Sequence, residues 1–228
     1  AEDVRAIFGG RDGAKREEGD AYAEYQRGLM DKADALYKER QGAMKWKPPV
    51  YTSMLLSNNG FIGEQGNERY KDIKFGPKGN VNQNGCGAIA VQNMNLMLGK
   101  KSNFIDVVNQ FNQDSDESTI LGGIVGGNPK YLKSIYEDQG YQVKEVRRAE
   151  ELPKDGSKFM LLSFYKDPIG AHYEAAEWTD TGKLRVYNTS SAQNGLAYME
   201  FDDLQAYQKK VGSQDKDRYS RTNYIAIK

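Results

Sequence analysis

Tyr22, Tyr25, Leu29, Ala33 and Leu36 recur every three to four residues with Lys, Glu and Asp between them, which predicts one amphipathic helix. The pattern lasts barely two heptads, so docking onto its own domain is preferred to a coiled-coil arm, and Pro48-Pro49 ends it. Residues 1–19 show no period, are rich in glycine and charge, and read as a loose leader. Between Gly60 and Gly85 the chain is rich in Gly and Asn, which predicts a long irregular loop. Ala90, Val91, Met94, Met97 and Leu98 then predict a helix over about 87–98, with Gly99 as its C-cap. Phe104, Val107, Val108 and Phe111 predict another over about 103–112. The glycine-rich run 121–127 does not match a phosphate-binding fingerprint, since no Lys-Ser/Thr pair follows it and no strand is expected before it. Asn128-Pro129 supplies a cap and a first-turn proline for a helix to about Gln139, and Gly140 closes it.

Beyond Gly140 the period falls to two. Strands are expected over 141–147, 158–165, 172–178, 184–188, 196–201 and 222–227, with a helix near 202–210. Helices first and an antiparallel sheet afterwards predict an α+β fold.

Charge and composition narrow the chemistry. Lys plus Arg and Asp plus Glu both number 32, so the chain has no net field to recruit nucleic acid. Its apolar runs are a few residues long, far from the ~20 needed for a membrane span. With one Cys and one His in 228 residues, an intrachain disulfide or a zinc site of the usual Cys/His type cannot be assembled. The acidic run 114–119 lacks the glycine of a calcium-binding loop, and no metal or organic cofactor is expected. The lack of disulfides fits a cytosolic protein and equally a bacterial secreted enzyme that keeps a thiol free.

The single cysteine and histidine are the candidate chemistry. Cys86 stands in Asn84-Gly85-Cys86-Gly87 at the first turn of an expected helix, where unpaired amides and the helix dipole favour a thiolate. A buried structural cysteine is the competing reading. Asp180-Thr181-Gly182 reads as a three-residue hairpin loop, which pairs Thr179 with Lys183, Glu174 with Asn188 and His172 with Ser190. His172 and Asn188 then share a sheet face as diagonal neighbours. A thiol, an imidazole and an amide that orients the imidazole form a Cys-His-Asn set, with the Asn188 side chain expected on the far ring nitrogen. For the oxyanion donor, Gln83 is favoured, then Gln65; Asn80, six residues before the cysteine, is a further candidate.

Gly85-Cys86-Gly87-Ala88-Ile89-Ala90 with Met94, Leu96 and Gly99 resembles the nucleophile helix of papain-like cysteine peptidases of the bacterial C39-like group. His172-Tyr173 with Asn188 sixteen residues on resembles their His and Asp/Asn strand pair, and Gln65, Asn67 and Tyr70 resemble the segment before their cysteine. The likeness covers about residues 60–190. It departs where Ala88 replaces a common proline and Asn188-Thr189 replaces Asp-Pro. It implies a papain-like fold with a catalytic domain over 51–228, preceded by the leader and amphipathic helix over 1–50, which have no counterpart in the likeness. It also implies a thiol protease, a hydrolase cleaving a peptide or isopeptide bond in a peptide or protein substrate, at a bacterial secreted or cell-surface location. A cytoplasmic location stays open. The alternatives are a papain-like acyltransferase or deamidase acting as a toxin or effector, and a catalytically silent surface-binding module. Oligomeric state is not legible in the sequence.

Overall fold

The computed structural model of the chain describes residues 20–41, 46–52, 59–146, 151–165, 171–189, 196–214 and 218–228. The leader at 1–19, Arg147 and Ser190 lie outside them. The principal helices are α1 (Asp20–Gln41), α2 (Cys86–Met97), α3 (Phe104–Gln113), α4 (Pro129–Glu137) and α5 (Leu204–Gln214). The strands of the main sheet are β1 (Val143–Val146), β2 (Lys158–Tyr165), β3 (Ala171–Trp178), β4 (Leu184–Tyr187), β5 (Tyr198–Phe201) and β6 (Arg218–Ile227). They run antiparallel in the order β1-β6-β2-β3-β4-β5. The architecture is α+β.

Strand alternation gives the sheet two buried faces. Met160, Leu162, Tyr173, Ile225 and Ile227 join α2, α3 and α4 in one apolar cluster. Phe159, Leu161, Ala176, Leu184, Val186 and Ala226 point the other way, into a second cluster with Leu204 and Tyr207 of α5. No helix among the described residues is long and apolar enough to cross a membrane.

Capping follows the expected local chemistry. Asn103 and Asn128 accept from the amides of Ile105 and Lys130, and Gly99 and Gly140 take positive φ just beyond α2 and α4.

Two expectations need correction. The segment 60–85 is organised rather than irregular. It holds a 3-10 turn at Glu68–Tyr70, a ribbon pairing Lys74 with Asn80, and a helical turn at Val81–Asn84, and it buries Tyr70, Ile73, Phe75 and Val81. Buried Asn93 of α2 grips its start, bonding both the amide and the carbonyl of Ile62 at 2.8 and 2.9 Å. Helix α1 docks onto its own chain; of its expected face Ala33 is buried but Leu36 is 38 % exposed, Met30, Asp34 and Tyr37 completing the contact, and the side chains of Tyr22 and Tyr25 lie outside the described residues. That face is selected by the glycine-rich segment opposite it, where Asp34 accepts the amide of Leu121 at 2.9 Å. A short ribbon pairing Thr119 with Gly127 brackets that segment, a strand element the sequence pattern did not indicate.

Candidate active site

Cys86 is the first residue of α2, with Gly85 as the N-cap. Asn80 caps the preceding turn through the Gln83 amide at 2.9 Å. Gly85 sits so tightly against that turn that an added Cβ would fall 2.7 Å from the Val81 carbonyl oxygen. Glycine at 85 therefore lets one helical turn lead directly into the next, and puts the cysteine at a helix N-terminus. The residue is buried, and its Sγ lies 3.9 Å from the carbonyl oxygen of Ala171, one peptide unit before His172. Gly126, at φ +109°, borders the sulfur, since a Cβ there would stand 4.0 Å from Sγ.

His172 is held by the sheet. The observed pairs Trp178 with Leu184, Ala176 with Val186 and Ala175 with Tyr187 are those the hairpin count predicts, and Gly182 takes φ +79° in the loop. The ladder ends at Tyr187, and Asn188 turns out of the strand at φ +62°, a left-handed conformation that Asn tolerates better than most residues. That turn aims the Asn188 carbonyl oxygen at His172 Nε2, 3.1 Å away. A carbonyl only accepts, so Nε2 carries the hydrogen and the lone pair of the neutral ring lies on Nδ1.

The expected role of the Asn188 side chain is thereby corrected. Its backbone oxygen, not its amide, orients the imidazole. Oδ1 instead accepts the Gln65 amide at 3.1 Å, and Nδ2 is buried without a hydrogen-bond partner among the described residues. The Gln65 backbone is thus tied to Asn188 across 123 residues of sequence, and its side-chain Oε1 is buried without a hydrogen-bond partner among the described residues. Gln83 is exposed, and its Oε1 accepts from Asn80 in the turn before Cys86. Asn80 is itself committed to that cap.

The sequence reading assigns no role to three groups at the site, Glu174, Tyr207 and Tyr173. Glu174, two residues beyond His172 and on the same face of β3, is completely buried, with Oε1 3.9 Å from His172 Nε2. Its other oxygen accepts the hydroxyl of Tyr207 from α5. The signal was a carboxylate in the otherwise apolar run Tyr173-Glu174-Ala175-Ala176. Tyr173 points to the opposite face and donates to the Gly127 carbonyl at 3.4 Å. Burial, and then the negative charge of Cys86, push its phenol well above the ordinary tyrosine range, with Arg27 opposing.

The arrangement places a thiol at a helix N-terminus against the strand that carries an imidazole of defined tautomer. The ring shares its strand face with Glu174 and Ala176, whereas the thiol packs with Tyr173 on the other face, so the contact of Cys86 is with the strand backbone beside His172. Among the described residues, no group of three His, Cys, Asp or Glu side chains is placed to hold a metal ion. In comparison with known proteins, no family model matches the chain and no curated sequence matches it.

Proposed function

We propose that the protein is a thiol hydrolase of papain-like type, with Cys86 as nucleophile and His172 as acid and base, cleaving a peptide or isopeptide bond. The observation that carries this reading is the junction of α2 and β3. The only thiol of the chain touches the backbone beside its only imidazole, and that imidazole is oriented through Nε2 by the Asn188 carbonyl.

In this mechanism the His172 ring, at the start of β3, must reach Sγ around the end of the strand; the Cys86 proton then passes to Nδ1, and the thiolate attacks the substrate carbonyl carbon. The imidazolium then gives its proton to the departing amine, leaving an acyl-thioester on Cys86. Water, deprotonated by Nδ1, releases the carboxylic acid and restores the thiol. The oxyanion is assigned to the Cys86 amide and the Gln65 side chain. Gln65 is preferred to Gln83 because Asn188 ties it to the site, whereas Gln83 belongs to the cap of the preceding turn. The secreted or cell-surface setting belongs to this same reading, through the family resemblance.

The test uses fluorescent casein and iodoacetamide. Wild type is expected to cleave the casein, and both Cys86→Ala and His172→Ala to be inert while keeping the wild-type circular dichroism. At pH 6 an ordinary thiol of pKa ~8.5 is roughly 0.3 % ionised, so rapid labelling of Cys86 marks an activated thiolate. Cleavage that survives Cys86→Ala refutes the reading, because the chain has no second thiol. Slow labelling together with no cleavage favours a silent binding module.

A further inference from the structure

We propose that Glu174 is a positioning residue, whose buried carboxylate stabilises the protonated form of His172 and so ties the charge state of the site to the α5 side of the sheet. The two residues are i and i+2 on β3 and therefore share a face, and their approach is 3.9 Å with the carboxylate wholly removed from solvent. A buried carboxylate is costly unless charge or hydrogen bonds compensate it. Tyr207 compensates one oxygen, and the other lies toward the edge of the ring that carries Nε2. An apolar side chain would serve packing at least as well at this position, between the apolar partners of α5 and β2. What the geometry shows directly is a buried carboxylate held against the imidazole.

Among the described residues, the titratable or charged groups with contacts at or beside the ring include Glu174, Tyr207, Cys86 and Arg27. Glu174 lies on its own strand, with Tyr207 of α5 behind it. Cys86 of α2 lies beside Ala171, and Arg27 of α1 acts on the neighbouring Tyr173. The acceptor at Nε2, the Asn188 carbonyl, is uncharged. Within this set, Glu174 is the anion placed to favour imidazolium without itself being the nucleophile. A negative charge about 4–6 Å from a base raises its affinity for a proton by tenfold or more.

The consequence for turnover rests on the peptidase reading; the coupling does not. With one histidine in the chain, imidazole NMR reports His172 without ambiguity. The experiment titrates that signal in Cys86→Ser, which removes the thiolate, with and without Glu174→Gln. The expected result is that Glu174→Gln weakens proton binding at His172 about tenfold, moving its titration down by about one pH unit. Glu174→Asp, which keeps the charge one methylene further away, is expected to move it less and in the same direction. It carries the test if Glu174→Gln does not fold. An unchanged His172 titration in the variant that folds overturns the proposal.

In the cysteine-containing enzyme, loss of the carboxylate is expected to bring the alkaline limb of the pH–rate profile to lower pH, because the imidazolium partner of the thiolate is lost sooner. A His172 titration that responds to Glu174 in a protein without hydrolase activity would retain the coupling and discard the peptidase reading. An active enzyme with an unresponsive His172 would do the reverse.

Discussion

Replacing Asn188 by Ala and by Gly separates what its side chain does from what its backbone does. Both variants remove Oδ1, the acceptor for the half-buried Gln65 amide, which costs about 1–3 kcal/mol. Both also remove Nδ2, a buried donor without a hydrogen-bond partner among the described residues, which offsets about 1 kcal/mol of that loss. Ala adds the strain of a left-handed backbone at φ +62°, about 1–2 kcal/mol. Gly escapes that strain but adds unfolded-chain entropy worth about 0.5–1 kcal/mol. Asn188→Ala should therefore cost about 2 kcal/mol, and Asn188→Gly should be the more stable of the two by about 0.5–1 kcal/mol. For a chain of this length, 2 kcal/mol corresponds to a fall of about 4–8 °C in Tm. Differential scanning calorimetry with urea titration measures both quantities. The catalytic outcome is equally specific. The imidazole acceptor is a main-chain oxygen that survives either substitution, so the His172 tautomer read by 15N NMR should remain Nε2–H. On the hydrolase reading, any loss of turnover then reports the untied Gln65 segment rather than the imidazole. An alanine variant as stable as the glycine variant would refute the backbone argument. A changed tautomer in either variant would show that the side chain governs the ring after all.

The remaining predictions concern other parts of the fold. Gly123→Ala should prevent folding or cost more than about 3 kcal/mol, because its Cβ would stand 1.8 Å from the Phe75 carbonyl oxygen at φ +97°, and expression with circular dichroism will show it. Asp34→Ala should cost about 1–3 kcal/mol in urea titration by stripping the acceptor from the buried Leu121 amide, and an unchanged midpoint would mean that α1 does not brace the glycine-rich segment. Tyr187 is pushed up to about 12, by burial first and then by Glu177, from an ordinary value of 10.0. The unfolded chain therefore binds fewer protons than the native one above pH 10, so its contribution to stability is complete below pH 10 and is lost toward pH 12. Tyr187→Phe should accordingly flatten the fall of the urea midpoint across that window.

Much of this molecule is legible in local chemistry. The spacing of Phe104, Val107, Val108 and Phe111 marks α3, and Asn128-Pro129 starts α4, because helix periodicity and capping are decided within a few residues. The loop ending in Gly182 sets the β3–β4 register, since a single left-handed glycine fixes how the two strands can be counted against each other. Once that register is known, His172 and Asn188 must be neighbours. What remains is decided by contacts distant in sequence. The backbone of Asn188 faces the imidazole because the residue leaves the strand in a left-handed turn while its side-chain oxygen is taken by the amide of Gln65, 123 positions earlier. The docked face of α1 is chosen by the Leu121 amide that Asp34 satisfies, and periodicity alone cannot specify such a partner. Glu174 reads as an interruption in an apolar strand until α5 brings Tyr207 against it. A polar residue's place in the core depends on which distant group completes its hydrogen bonds, and only the folded chain supplies that group.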